Sequence, residues 1–281
     1  MKKRNLIVIL VVLLLVVSLV ASATVVFNRL CNTESFQHDV PDREAGHSVP
    51  LRGPKAGQRQ AIHPPDSYPD LRIREPVDRK LKNLATEIRG TADTPIYMID
   101  NFMSDEECDS IINGAQGKLV PSPLTRQDPN DENFRTSETC YFDGSGIQNE
   151  IEKRIADLIE KPMWSSESSQ IQHYKLKNQF KAHWDYFDPR YDKDFWLKGQ
   201  RTWTCMVYLN DVERGGSTKF VKLNETSYPK KGRIVIWSNL KPDGTMDPMT
   251  MHQGSPVEQG EKYIITKWFI DKKYEGGNSG Y

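Results

Sequence analysis

Three residues with ligand-forming side chains stand out by type and spacing: His183 and Asp185, two apart in "HWDYFDPRYDK", and His252 in "MTMHQGSPV". On a strand, positions two apart project to one face, so His183 and Asp185 point together while Trp184 points away. Alone, the His-x-Asp pair is weak, because an ordinary surface pair has the same form. Of six histidines, His38, His47 and His63 fall in a polar N-terminal segment and His173 precedes the candidate strand, leaving His252 as the distant partner. Two imidazoles and one carboxylate on one side of an ion match the facial triad of non-haem Fe(II) oxygenases, with positions open for a cosubstrate and dioxygen. The same donors suit zinc.

A nearby lysine favours iron. In "KYIITKWFI" the positions Lys262, Ile264, Thr266 and Trp268 share one strand face. Where that face lines a cavity, Lys262 stands among apolar groups. An unpaired ammonium there is costly, so an anionic ligand is its natural partner. A dicarboxylate cosubstrate would meet both demands. A lysine at the strand mouth, with its amine in water, is the alternative.

The elements that must position these residues are legible from periodicity. From Ser169 onward, runs such as "QIQHYKLK", "FKAHWDYF", "RTWTCMVYLN", "TKFVKL", "GRIVIWSNL" and "KYIITKWFI" are short, β-branched and aromatic, parted by turn residues. They predict a barrel-like sandwich of antiparallel strands with helices packed outside, an α+β arrangement. Upstream, "TPIYMIDNF" predicts a strand. Ser104 with Glu107 three on predicts a capped helix through Ile111 and Ile112. Ile147, Ile151, Ile155 and Ile159 recur every fourth residue until Pro162, which predicts a second helix. The folded domain is expected over 92–274, with a tail at 275–281.

The first part of the chain differs. "MKKRN" precedes an uncharged stretch, Leu6 to Phe27, whose length as a helix, roughly 33 Å, is enough to cross a bilayer core. The basic residues ahead of it place the N-terminus in the cytosol and the rest in the lumen or outside, in a single-pass type II arrangement. Ala21-Ser22-Ala23 also has the form of a signal-peptidase site. Either way the domain enters the secretory pathway. Residues 28–91 are rich in Pro, Arg, Asp and His and predict a solvated stalk, with "VDRKLKNLATEI" as a short helix lying on the domain.

Lys plus Arg and Asp plus Glu both total 38 across 281 residues, so no net field argues for nucleic acid as partner. Cys31, Cys108, Cys140 and Cys205 are expected in a compartment that permits disulfides; Cys108 with Cys140 is the favoured pair, and buried free thiols are equally compatible. Asn224-Glu225-Thr226 has the form of a glycosylation acceptor.

From about Ile96 to Ile270 the chain resembles the Fe(II) and 2-oxoglutarate-dependent prolyl 4-hydroxylases of collagen, plant and algal type. The resemblance is carried by "HWDYF", "GQRTWTCMVYLNDVERGGSTKF", "PKKGRIVIWSNLKPDGTMDPMTMHQGSPV" and "GEKYIITKW", in that order and spacing. It implies a double-stranded β-helix (jelly-roll, cupin-like) core. His183, Asp185 and His252 look like the iron ligands, Lys262 like the 2-oxoglutarate anchor, and Tyr174 and Thr218 like hydrogen-bond donors beside it. Arg135, Ser137, Arg201 and Trp268 match positions that touch the proline-containing chain. The chain departs from the family at Phe180, where tyrosine is common, at Ser217, usually glutamate, and at Gln253-Gly254-Ser255, which lacks a family cysteine.

The implied reaction couples dioxygen reduction and oxidative decarboxylation of 2-oxoglutarate, giving succinate and carbon dioxide, to hydroxylation of peptidyl proline at C4, with ascorbate rescuing uncoupled iron. Its acceptor would be a proline-rich or collagen-like chain, its location the membrane of the endoplasmic reticulum or Golgi. The chain lacks the long extra domain of the large animal subunits, so a monomer is expected. Two other readings are a 2-oxoglutarate dioxygenase with another acceptor and a catalytically silent luminal module that binds proline-rich peptides.

Overall fold

The β-branched and aromatic runs of the second half pair into antiparallel sheets. A computed structural model describes residues 74–123, 133–144 and 146–271, apart from the side chains of Lys193 and Trp196. The apolar leader, the stalk up to residue 73, Cys31 and the tail lie outside the described residues. In chain order the strands are β1 (Glu87–Gly90), β2 (Pro95–Ile99), β3 (Val120–Pro121), β4 (Glu138–Tyr141), β5 (Gln170–Tyr174), β6 (Phe180–His183) and β7 (Gln200–Tyr208). They continue with β8 (Arg214–Gly215), β9 (Thr218–Phe220), β10 (Glu225–Ser227), β11 (Ile234–Ser238), β12 (His252–Gly254), β13 (Val257–Gln259) and β14 (Lys262–Asp271). The larger sheet runs β1-β2-β11-β7-β14-β5-β4-β3 and the smaller one β10-β9-β12-β6, with β13 and β8 as a separate pair.

Alternation along the central strands divides the core in two. On β7, Trp203, Cys205 and Val207 join Ile236, Ile265 and Phe269 on one face of the large sheet. Met206 and Tyr208 join Trp237, Ile264 and Phe220 in a second apolar cluster. Phe220 belongs to the smaller sheet, so the second cluster is the filling of the sandwich and the expected jelly-roll core is present.

Helices cover the first cluster: α1 (Arg74–Leu84), α2 (Asp105–Ala115) and α3 (Ile147–Ile159); a fourth, α4 (Lys193–Lys198), precedes β7. The capping box at α2 forms as expected, with the Glu107 amide donating to Ser104 Oγ and the Ser104 amide donating to the Glu107 carboxylate. The isoleucine stripe of α3 packs inward, with Ile151, Ile155 and Ile159 fully buried. Burying each stabilises by about 1.5–3 kcal/mol. The helix stops where Glu160 turns left-handed at φ 51°, two residues before Pro162.

Three expectations change. First, residues ahead of 92 pack on the domain as integral elements rather than as part of a solvated stalk. Val77 and Leu81, one turn apart on α1, are buried against the domain, and Arg74 donates to the Leu240 carbonyl at 2.9 Å. The segment expected to be helical through Ile88 is helix only to Leu84, and Glu87–Gly90 pairs with β2. The charge-rich composition concealed these few apolar positions. Second, Cys108, Cys140 and Cys205 are buried free thiols. Cys108 and Cys140 sit within the helix-side apolar cluster as small hydrophobic residues, and burial pushes the Cys108 thiol up to about 11. Third, β6 ends at His183, so Asp185 lies beyond the strand.

Candidate active site

His183 closes β6 and His252 opens β12, and the register of these paired strands sets the two histidines opposite each other. Their ring centres are 4.4 Å apart. Asp185 reaches them from the turn after β6, not by strand alternation. Its Oδ1 lies 3.7 Å from His183 Nε2 and its Oδ2 3.7 Å from His252 Nε2. One ligand atom from each residue falls within 4.8 Å of the others, the one such cluster among the described residues.

The second ring nitrogen of each histidine settles the tautomer. His183 Nδ1 is 2.7 Å from the Lys181 carbonyl and His252 Nδ1 is 2.9 Å from the Thr250 carbonyl. A carbonyl only accepts, so both Nδ1 atoms carry a proton and both Nε2 atoms are directed to the same space. Burial, reinforced by His252 alongside, pushes the His183 pKa down to about 3, so this ring is neutral at physiological pH. Burial opposes ionisation of Asp185, but His252, His183 and Arg201 outweigh it and hold the carboxyl below its ordinary value. Imidazoles oriented by Nδ1 bonds to carbonyls and an anionic carboxylate are the donor set a divalent ion requires, so the residues fit Fe(II). Phe180 stacks on His183 at 3.6 Å, and Trp237 meets His252 edge-on at 4.9 Å, giving the centre apolar walls.

Lys262 opens β14, and Lys262, Ile264, Thr266 and Trp268 all line the cavity that holds the triad, together with Tyr174 and Thr218. The strand-mouth alternative therefore fails: Lys262 is 1% exposed. Its Nζ lies 4.1 Å over the Tyr174 ring, and it has no carboxylate partner among the described residues. Burial alone pushes its pKa down to about 7. Gly216, at φ +66°, lies beside this side chain in a backbone conformation that any other residue would strain to adopt. An ammonium and a divalent ion in one dry cavity, against a single carboxylate, leave positive charge that an anionic cosubstrate would neutralise.

Tyr174 OH donates to Gln172 Oε1 at 2.9 Å, and Thr218 Oγ1 accepts from Tyr208 OH at 3.0 Å. Both stand beside Lys262 on the cavity wall. Trp268 lines the same space, with the Arg201 guanidinium 4.0 Å over its ring. Arg201 also pairs with Glu167. Arg135 lies outside the cavity lining, 4.9 Å over the Phe180 ring, and donates to Ser137 Oγ at 3.0 Å. Two of the family departures meet each other: Ser217 Oγ donates to Ser255 Oγ at 3.0 Å.

Sequence reading missed Gln172, which lines the cavity two residues before Tyr174, and Thr204, which donates to Asp185 Oδ2 at 2.8 Å. The signal for both was strand alternation, from Tyr174 on β5 and from Met206 on β7. A larger hollow of about 590 Å³ lies at the start of α2, but its Ser104, Glu107 and Arg154 side chains bond one another or the helix cap and do not converge on a ligand.

A jelly roll holding a His-Asp-His triad beside a buried cation defines a 2-oxoglutarate-dependent iron oxygenase. Comparison with known proteins agrees. The 2OG-Fe(II) oxygenase superfamily model matches residues 169–270. "Probable prolyl 4-hydroxylase 7" of Arabidopsis thaliana is 31% identical over 214 residues, covering 68% of this chain and 67% of that protein. "Probable prolyl 4-hydroxylase 3" of the same plant is 33% identical over 204 residues, covering 64% and 70%. Among solved structures, the 2OG complex of the viral collagen prolyl hydroxylase from Paramecium Bursaria Chlorella virus-1 aligns with a TM-score of 0.50 at 30% identity, covering 62% of this chain and 94% of that one. The chain belongs to the prolyl 4-hydroxylase family of Fe(II)- and 2-oxoglutarate-dependent dioxygenases, whose cofactors are Fe(II), 2-oxoglutarate and ascorbate. It is a dioxygenase, an oxidoreductase.

Proposed function

We propose that the protein hydroxylates C4 of peptidyl proline in proline-rich or collagen-like chains of the secretory pathway, as a membrane-anchored luminal enzyme. The observation that carries the reading is Lys262, buried and without a carboxylate partner, in the cavity that holds His183, Asp185 and His252. Those three side chains would hold Fe(II), which with 2-oxoglutarate supplies dioxygen activation coupled to decarboxylation. Lys262 pairs with the far carboxylate of the cosubstrate, and Tyr174 and Thr218 orient it. The apolar walls exclude water, and no side chain acts as a proton base. Trp268, Arg201, Arg135 and Ser137 are the peptide contacts in this reading. The leader, Leu6 to Phe27, is the anchor and residues 28–73 the stalk; the collagen-like acceptor draws support from the viral relative.

The test is incubation of the full chain with Fe(II), 2-oxoglutarate, ascorbate and proline-rich peptides of several repeat types, read by mass spectrometry and succinate release. Hydroxyproline is expected from the parent and none from Asp185→Ala. Hydroxyproline formation unchanged in Asp185→Ala would overturn the site. Succinate release coupled to a different acceptor would overturn the proline assignment alone.

A further inference from the structure

Asp185 is tied down by a short polar chain that no part of the reading above uses. Its Oδ2 accepts from Thr204 Oγ1 at 2.8 Å, and Thr204 Oγ1 accepts from Asn239 Nδ2 at 2.9 Å. Thr204 and Asn239 are both fully buried. An amide NH2 only donates, so the hydroxyl oxygen of Thr204 is the acceptor of that bond, and its one proton points to Asp185. The reverse orientation of the Asn239 amide would draw the hydroxyl proton to itself and leave two oxygens, one of them anionic, in contact without a hydrogen. The observed orientation leaves Asn239 Oδ1 with no partner, a buried defect that persists only where the surroundings over-determine it. The Thr204–Asp185 contact fixes the side-chain orientation, and the main chain holds the residue in place: the Asn239 backbone N–H donates to the Thr202 carbonyl at 2.8 Å and its backbone carbonyl accepts from the Asp247 backbone N–H at 3.0 Å. Thr204 is equally fixed, in the middle of β7 opposite Trp237 of β11 and Trp268 of β14.

We propose that Thr204, polarised by Asn239, is a positioning residue for the metal ligand Asp185: its hydrogen bond to Oδ2 stops the carboxylate from rotating, so that Asp185 presents one fixed orientation to the ion. A carboxylate free to turn can chelate with both oxygens and fill a coordination position the cosubstrate or dioxygen needs. It also loses rotational freedom on binding, which weakens affinity. The inference rests on the metal assignment and is independent of which acceptor is hydroxylated.

The experiment uses the full chain without oxygen. Co(II) and Fe(II) are titrated by calorimetry, and the visible absorption of the Co(II) form reports coordination number. Thr204→Val keeps the shape and removes the donor. Metal affinity is expected to fall about 10–100-fold, with an altered Co(II) spectrum. Thr204→Ser, which restores the hydroxyl, is expected to recover the parental spectrum and most of the affinity. Apo-protein circular dichroism reports the fold, and Thr204→Ala takes the place of the valine variant should the latter not fold. A folded Val or Ala variant with parental metal affinity and spectrum would overturn the proposal, and so would a serine variant as impaired as valine. Loss of hydroxyproline with unaltered metal binding would count against it too, since that pattern belongs to the acceptor groove.

Discussion

Replacing Lys262 with methionine removes the ammonium and keeps a straight side chain of similar length. In the protein without cosubstrate this is expected to stabilise the fold, because Lys262 is buried with no carboxylate to offset the cost of desolvation. The fall of its pKa from 10.5 to about 7, at about 1.4 kcal/mol per pH unit, sets a ceiling of about 5 kcal/mol. Water penetration and side-chain relaxation reduce this to about 2–5 kcal/mol. For a body of this size that is on the order of 10 °C in melting temperature. The sign with pH is fixed by linkage. Between pH 7 and 10.5 the unfolded lysine binds a proton that the folded one has released, so parental stability rises with pH across that window. The methionine advantage is therefore full at and below pH 7 and fades towards pH 10.5. Saturating 2-oxoglutarate with metal should narrow the gap: at one hundred times its dissociation constant it stabilises the parent by about 2.7 kcal/mol and leaves the variant almost unmoved. Calorimetric melts of both proteins across this pH range, with and without cosubstrate, read all of this. A variant no more stable than the parent at pH 7, or one equally stabilised by 2-oxoglutarate, would refute the reasoning.

Two further outcomes are expected. Glu152→Ala leaves Lys267, 2% exposed, without the carboxylate that now lies 2.8 Å from its Nζ, and should cost about 3 kcal/mol of unfolding free energy in urea; adding Lys267→Met should recover most of that. Asn224 is exposed in the turn between β9 and β10, so secretory expression should add one glycan that Asn224→Gln removes, read as a mobility shift; no glycan on the parent would count against the luminal assignment.

Periodicity carried the helices and strands because their apolar positions are regular. Ile151, Ile155 and Ile159 mark α3 without any knowledge of its neighbours, and the alternation of Lys262, Ile264, Thr266 and Trp268 names the cavity wall. The triad was legible for another reason: its members are chemically rare types, and elimination among six histidines left His252 as the partner of His183. What escaped depends on partners distant in sequence. Thr204 reads as an ordinary strand residue until Asp185 and Asn239 close on it from other segments. Val77 and Leu81 are too few to offset the charge around them, so the extent to which this segment is integral to the domain was not legible. The cysteines were undecidable, since burial in an apolar cluster and readiness for a disulfide look the same in a list of residues.

The two buried lysines of β14 show how one strand separates holding the fold from binding a ligand. Lys267 points to the helix side, where Glu152 of α3, the Glu167 carbonyl and the Ser169 hydroxyl receive its ammonium. Lys262 points into the sandwich, where its ammonium faces an aromatic ring and finds no carboxylate. Odd and even positions of one strand thus meet opposite solutions to the same desolvation cost. A satisfied buried charge gives the domain rigidity and has no affinity to spare. An unsatisfied one is a stability debt that only an anion of the right length can settle, and that anion must also reach the ion held by His183, Asp185 and His252. Selectivity for a dicarboxylate follows from this pairing of a fixed cation with a fixed metal site, each incomplete alone. Moving the ammonium to the other face by exchanging the residues at 262 and 263 would leave the triad intact and remove the second point of attachment. Metal affinity should survive such a change while 2-oxoglutarate affinity falls.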